Sequence, residues 1–157
     1  MVSENDAHRL RRLVFYATDV DRINQALLAF VKKSGAMSVM LIDQEGHLVS
    51  RQGFKVDNDG AALAALVAGS FTSTRQVAKL LGENDFRVMS HQGPTTNIHL
   101  TLLGERTLQV AVFPSVIKVG MIQVLCKELA VQMEGILADA AKCEPEPNAQ
   151  LAGNFSE

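Results

Sequence analysis

The 157-residue sequence is long enough for one domain with a substantial core, and 47% hydrophobic and 20% charged residues are typical of a globular protein. A net charge of −2 gives no electrostatic footprint for nucleic acid or an anionic membrane surface, and no run reaches the roughly 18 apolar residues of a membrane-spanning helix. The two cysteines, Cys126 and Cys143, provide neither a disulfide framework nor a metal-ligand pattern. We therefore expect a cytoplasmic protein with no metal and no cofactor.

The first helix is predicted after a polar N-terminal arm at 1–12 that we expect to be flexible. Thr18 or Asp19 is placed to cap this helix, which runs to about Ser34. Gly35 is a typical residue at the end of a helix. Apolar residues recur along the segment with the helical period, and they are Val20, Ile23, Leu27, Phe30 and Val31.

A β-hairpin follows this helix. The segment 38–43 is short, apolar and rich in β-branched residues, and the segment 47–52 alternates as a returning strand does. Gly46 lies between them, where a tight turn needs a residue with positive φ. Gly53 ends the second strand.

A long helix is predicted over 58–82, with Asp59 as its N-cap and Gly82 at its end. One apolar stripe comprises Leu63, Leu66, Val67, Phe71, Val77 and Leu81. A second face is small and uncharged, and comprises Ala61, Ala65, Ala68, Thr72 and Gln76. A solvated helix face usually carries Lys and Glu. This face therefore suits either close contact with another protein or packing inside its own domain.

Three strands and a last helix complete the predicted domain. The strands lie at 86–91, 97–103 and 107–113, and the third has the most buried composition. Ser115 is placed to cap a helix from about Val116 to 142, whose early Gly120 suggests a close approach to a strand. The apolar stripe of this helix comprises Ile117, Met121, Val124, Leu125, Leu129, Met133, Ile136 and Leu137. The tail at 143–157 has a composition typical of disorder.

This element order predicts an α+β domain with one five-stranded antiparallel sheet. The long middle helix would cross one face of the sheet, and the first and last helices would cover the other. The strand at 86–91 would then lie at an edge. An exposed edge strand is a pairing liability unless it is used, so we expect dimerisation through this edge with the middle helices side by side.

No catalytic constellation is evident in the sequence. Phosphate-binding glycine loops, nucleophile elbows and zinc-binding helical motifs are absent. His91 and His99 flank one turn, but no Cys or carboxylate is placed to complete a metal site with them. Glu83 and Asp85 lie in a predicted turn, where we expect them to be solvated loop charges. Arg106, at a predicted hairpin tip, is the best placed arginine for a phosphate contact. These residues favour a binding module over an enzyme.

Four segments carry a resemblance to a known family: SVMLIDQEGHLVSRQG at 38–53, LAALVAGSF at 63–71, VAKLLGENDF at 77–86 and AVFPSVIKVGMIQVL at 111–125. Together they resemble the roadblock/dynein-light-chain family over most of the chain, which defines a roadblock domain at 13–142. Within the family, the sequence is most similar to bacterial regulators of a small Ras-like polarity GTPase that functions in motility. The resemblance implies the order α-β-β-α-β-β-β-α, with helices on both faces of the sheet and the sheet continued across a homodimer.

The resemblance also implies which residues meet a partner. Two subunits would bind one GTPase and stimulate GTP hydrolysis without donating a catalytic residue. The implied partner-binding residues are Ala68, Thr72 and Gln76, with Arg22 and Lys127 at the margin. The implied dimer-interface residues are Ala61, Ala65, Arg87 and Met89. A scaffold that binds a GTPase without activating it, and a small-molecule sensor domain of similar layout, remain as alternatives.

Overall fold

The computed structural model describes residues 17–53 and 60–142. The predicted N-terminal arm, the predicted cap Asp59 and the predicted tail lie outside these residues. The helices are α1 (Ala17–Ser34), α2 (Gly60–Leu80) and α3 (Val119–Lys142). The strands are β1 (Ser38–Asp43), β2 (Leu48–Gly53), β3 (Val88–Gln92), β4 (Thr96–Leu103) and β5 (Thr107–Pro114). The predicted order of helices and strands is confirmed.

The five strands form one antiparallel sheet in the order β2-β1-β5-β4-β3. β5 lies at the centre and is buried at every residue except Pro114, as its composition predicts. β1 is buried almost throughout because it lies beside β5 and helices cover both of its faces. β2 and β3 are the edge strands, so the predicted edge position of the third strand is confirmed.

Helices cover both faces of the sheet and enclose two separate cores. α1 and α3 pack on one face, where Leu27, Phe113 and Met133 are among the residues of the larger core. α2 packs on the other face, where Phe71 and Val110 belong to the smaller core. The predicted division of the helices between the two faces is therefore confirmed. In the described part of the chain, no helix combines the length and apolar character needed to cross a bilayer.

The helix ends differ in part from the predicted ones. α1 begins at Ala17, before either predicted cap, and ends where Gly35 adopts a φ of +73° and donates its N–H to the carbonyl of Val31. α3 begins at Val119, so the predicted cap Ser115 is wrong. The Ser115 hydroxyl instead donates to the carbonyl of Pro94, which ties the segment before α3 to the turn between β3 and β4.

The buried face of α3 is also rotated from the predicted stripe over its first half. Ile122 and Cys126 are buried there, whereas Met121 and Val124 are exposed. Gly120 is exposed as well, and a Cβ built on it would meet no atom within 4 Å, so close approach to a strand does not explain it. The first half of α3 therefore presents apolar side chains to solvent.

Candidate partner-binding surface

The sheet-facing side of α2 is built mainly from small residues. Ala64, Val67, Ala68, Phe71 and Ala78 are its buried positions. Small residues allow the helix to approach the β1–β2 turn closely, since a Cβ added to Gly46 would come within 2.9 Å of the Ala65 Cα. Gly46 has a φ of +92°, which accounts for glycine at this turn.

Several large apolar side chains of α2 point away from the sheet. The predicted apolar stripe is confirmed for Val67 and Phe71 and is wrong for Leu66, Val77 and Leu81, which are exposed. Leu66 is 73% exposed and Leu80 is 88% exposed. Residues at intervals of three and four form a continuous line on this outer side, which we call the α2 stripe: Leu66, Gly69, Ser73, Val77 and Leu80. The α2 stripe carries no charge, which is unusual for a helix face in contact with water.

Hydroxyl groups on the outer side of α2 are already hydrogen-bonded within the helix. Thr72 Oγ1, Ser73 Oγ and Thr74 Oγ1 donate to the carbonyls four residues earlier, at 3.0, 3.1 and 3.0 Å respectively. A partner could therefore bury these side chains without leaving a hydroxyl donor unsatisfied. This surface is suited to a dry contact in spite of its Ser and Thr content.

Gly69 has no packing role within the subunit. It lies in the middle of α2 and is exposed, and a Cβ added there would meet no atom within 4 Å. Glycine in the interior of a helix costs about 1 kcal/mol relative to alanine. A second backbone that approaches the α2 stripe would account for a glycine at this position.

An ordered connection joins α2 to the edge strand β3. Gly82 adopts a φ of +81°, and its N–H and that of Glu83 donate to the carbonyls of Lys79 and Ala78, which closes α2 with a Schellman motif. Asp85 then accepts hydrogen bonds from Nε and Nη2 of Arg75 at 2.7 and 3.3 Å. This ion pair fixes the start of β3 relative to α2.

The Arg75–Asp85 pair corrects the prediction that Asp85 is a solvated loop charge. The hydrogen bond from Arg75 holds the pKa of Asp85 below its usual value. The Arg75 guanidinium also lies 5.7 Å from the centre of the Phe71 ring. Arg75 therefore has a role inside the subunit as the link between the core under α2 and the loop before β3.

β3 is held by the sheet on one edge only. It pairs with β4 from Val88 opposite Thr101 to Gln92 opposite Asn97, and its other edge has no neighbour within the described chain. Ser90 lies opposite the buried His99, and its Oγ is 2.7 Å from Nδ1 of that ring. His91 pairs with Ile98 and points to the other face of the sheet from His99, so the two histidines that flank this turn do not form a pair.

Two of the three central partner-binding residues are accessible. Thr72 and Gln76 are exposed on one flank of α2, beside the α2 stripe. Ala68 is buried against the sheet with 4% exposure, so its side chain offers little surface in the isolated subunit, and its role in partner binding stays a prediction. Its methyl group is enclosed by the core that α2 shares with β4 and β5.

The four predicted dimer-interface residues lie on α2 and around β3. Ala61 and Ala65 are exposed on the first half of α2, on the same flank as Thr72. Arg87 is exposed, and its Nη2 donates to the carbonyls of Leu102 and Gly104, both at 3.3 Å. Met89 is half-buried against the core under α2.

Arg22 and Lys127 lie far from this surface. Arg22 belongs to α1 and forms an ion pair of 3.2 Å with Asp139 of α3, and Lys127 is exposed on α3. Both helices pack on the opposite face of the sheet from α2. A contact surface on one subunit therefore does not contain them together with Thr72, and their place at the margin of a partner site stays a prediction for the assembled protein.

Cys126 and the acidic side chains of the β1–β2 turn have structural roles. Cys126 is a buried free thiol, and burial raises its pKa to about 12, so it stays protonated. Asp43, Glu45 and His47 bring ligand atoms within 4.8 Å of one another. Asp43 Oδ1, however, accepts the N–H groups of Glu45 and His47 at 3.0 and 2.8 Å, which identifies this cluster as the hydrogen bonding of the β1–β2 turn.

The comparison with protein families decides the classification. Residues 22–113, more than half of the chain, match the family described as the Roadblock/LC7 domain. The chain belongs to the Roadblock/LC7 family. No curated protein matches the sequence.

Solved structures of MglB proteins are similar to this Roadblock/LC7 domain over nearly their whole length. Myxococcus xanthus MglB is 27% identical with a TM-score of 0.78, and covers 86% of this chain and 99% of its own. The gliding protein MglB of Thermus thermophilus is 28% identical with a TM-score of 0.75, and covers 82% and 97%. An MglB described as having a tetrameric arrangement is 29% identical with a TM-score of 0.78, and also covers 82% and 97%.

The sequence reasoning missed the α2 stripe of this Roadblock/LC7 domain. Leu66, Val77 and Leu80 have the spacing of one helix face, which was the available signal. The sequence contains a second set of apolar residues on the other side of α2, and most of these are alanines. The predicted stripe therefore combined residues of two faces, while Ala64, Ala68 and Ala78 contact the sheet together with Val67 and Phe71.

Proposed function

We propose that this Roadblock/LC7 domain is a homodimeric regulator of a small Ras-like GTPase in the bacterial cytoplasm, and that it stimulates GTP hydrolysis. The observation that carries the proposal is the uncharged outer side of α2, which continues into the unpaired edge of β3, in a domain similar to MglB along almost its entire length. A contiguous exposed apolar surface of this kind marks a protein-binding site.

The dimer uses the α2 stripe and β3. Two α2 helices packed side by side would bury Leu66, Val77 and Leu80, with Gly69 at the point of closest approach. The edges of two β3 strands would pair and extend the sheet to ten strands, which removes the exposed edge. The Arg75–Asp85 ion pair supports this geometry because it holds both contact elements in one relative position.

The GTPase binds on the flank of α2 that carries Thr72 and Gln76, where the two subunits together form a wider surface. This flank offers methyl and amide groups, and the Thr72 hydroxyl proton is already bound to the carbonyl of Ala68. Neither Thr72 nor Gln76 supplies a general base or a charged phosphate ligand. Activation would therefore arise because binding favours the GTPase conformation in which its own arginine and glutamine are correctly placed.

A phosphate-release assay with the cognate GTPase tests this proposal. The wild-type protein should accelerate single-turnover hydrolysis, and Thr72→Arg should abolish the acceleration while the dimer persists. Gln132→Arg is the matched control, since Gln132 is exposed on α3 at the opposite face of the sheet. Unchanged hydrolysis at saturating wild-type protein would overturn activation. Binding without acceleration would identify a scaffold instead.

A further inference from the structure

The outer side of α3 carries a second regular surface, on the opposite face of the sheet from α2. Its members recur at alternating intervals of four and three residues, the spacing of a helix–helix seam. We call this line the α3 seam, and it comprises Gly120, Val124, Lys127, Val131, Glu134 and Ala138. All six are exposed, because the sheet-facing side of α3 is formed by other residues such as Ile122, Cys126 and Met133.

The two valines give the α3 seam its apolar centre. Val124 is 59% exposed and Val131 is 71% exposed. Single exposed apolar residues are ordinary on a protein surface, but these two lie seven residues apart on one line of a 24-residue helix. A line of this kind is an extended contact surface for another helix.

The charges of the α3 seam have no partners among the described residues of the subunit. The neighbouring acidic residues of α3 are engaged with α1, since Glu128 pairs with Lys33 at 3.1 Å and Asp139 pairs with Arg22. Lys127 and Glu134 form no such ion pair in the described chain. They are a cation and an anion, seven residues apart on the same line.

We propose that the α3 seam binds the α3 seam of a second copy of this chain in antiparallel orientation. Lys127 lies four residues before Val131, and Glu134 lies three residues after it. When two α3 helices run antiparallel about an axis at Val131, Lys127 reaches the level of Glu134 of the partner subunit, and Val124 reaches the level of Ala138 of the partner subunit. The two-fold symmetry makes each contact twice, so the seam is complementary to itself in charge.

A glycine beside the α3 seam supports close helix approach. Gly135 lies in the interior of α3, is exposed, and would place an added Cβ within 4 Å of no atom, as would Gly120. Neither glycine is required by packing inside the subunit, although glycine weakens a helix. A second α3 that lies across this surface would supply the missing reason for both.

The α3 contact is independent of the contact proposed for α2 and β3, because the two surfaces lie on opposite faces of the sheet. A chain that uses both would join dimers into tetramers or longer assemblies. A chain that uses the α3 seam alone would form an α3 dimer. The inference therefore does not depend on GTPase regulation.

Sedimentation velocity of charge variants tests the α3 seam. Lys127→Glu and Glu134→Lys should each weaken the α3 association about tenfold or more, because each places like charges opposite one another. A one-to-one mixture of the two single variants should restore the association, and so should the double variant K127E/E134K. Lys118→Glu, an exposed charge reversal outside the seam, is the matched control. Circular dichroism checks that each variant is folded.

Leu80→Glu provides a background in which the α2 contact is disrupted and only the α3 seam remains. In this background the protein should still form a dimer that Lys127→Glu dissolves. Single variants that sediment like the wild type would contradict the proposal, as would a mixture that fails to restore the larger species. A Leu80→Glu protein that remains monomeric at high concentration would also contradict it.

Discussion

The carboxylate of Asp85 helps to fix the position of β3. Its folded-state pKa lies below the ordinary value of 3.8, chiefly because Arg75 donates a hydrogen bond to the carboxylate. The stability that this pair contributes is therefore present above that value and is lost as the pH falls through the lower folded-state pKa. We expect Asp85→Asn to lower the melting temperature at neutral pH and to cause a smaller loss in strong acid. Thermal unfolding of both proteins across this range measures the difference, and equal losses at every pH would contradict the role of the ion pair.

His99 also makes the stability depend on pH, but as a buried base and not as a paired acid. Burial lowers the pKa of this imidazole from 6.5, so the unfolded chain takes up a proton before the folded chain does. Its contribution to stability is complete above about pH 6.5 and falls as the pH drops towards the folded-state pKa, with a slope of at most about 1.4 kcal/mol per pH unit for one proton. We expect His99→Gln to flatten this part of the stability profile in urea titrations. An unchanged profile would show that His99 does not titrate in this window.

For the single element α2, a substitution at Gly69 tests whether the outer side of the helix is an interface. Gly69→Leu introduces a strong helix former where no atom of the subunit blocks it, so the monomer should gain up to about 1 kcal/mol of stability. The same side chain would hold a second α2 away, so the dimer dissociation constant should rise at least tenfold. Sedimentation equilibrium measures this constant, with Gln132→Leu on α3 as the control for added surface hydrophobicity. A dimer of unchanged affinity would exclude the α2 stripe as its contact.

The same element shows how far the sequence can predict this fold. The apolar runs of β1 and β5 are sufficient to predict these strands, and the glycines at 35, 46 and 82 are sufficient to predict the end of α1, the β1–β2 turn and the end of α2, because each has a local physical cause. α2 has apolar residues on two sides, and periodicity alone does not say which side meets the sheet. Close packing against Gly46 selects the alanine side. The contact that decides the orientation of α2 is therefore long-range in sequence.

Long-range placement also limits what the sequence can predict about the candidate site. Arg22 and Lys127 were associated with Thr72 by position in a family pattern, which does not contain the information that a sheet separates them. The Arg75–Asp85 pair depends on the path of the chain after Gly82, and ten residues separate its members. By contrast, the exposure of Thr72 and Gln76 follows from helical periodicity, and it was predictable.

At the scale of the whole molecule, the sheet divides the surface into two halves with different roles. The α2 and β3 side carries the proposed dimer and GTPase contacts, and the α1 and α3 side carries the seam for a second type of self-association. Because the central strands β1 and β5 are buried on both faces, each half is supported by a rigid core. A substitution on one side should therefore leave the contacts of the other side intact.

Binding of the GTPase to the α2 flank is the central claim, and calorimetric titration tests it most directly. The cognate GTPase, loaded with a non-hydrolysable GTP analogue, is titrated into the wild-type protein and into Thr72→Arg. We predict saturable binding of one GTPase to two chains, with loss of at least about tenfold in affinity for Thr72→Arg, since a buried unpaired guanidinium is costly. Absence of binding to the wild type, or equal affinity for Thr72→Arg, would contradict the account.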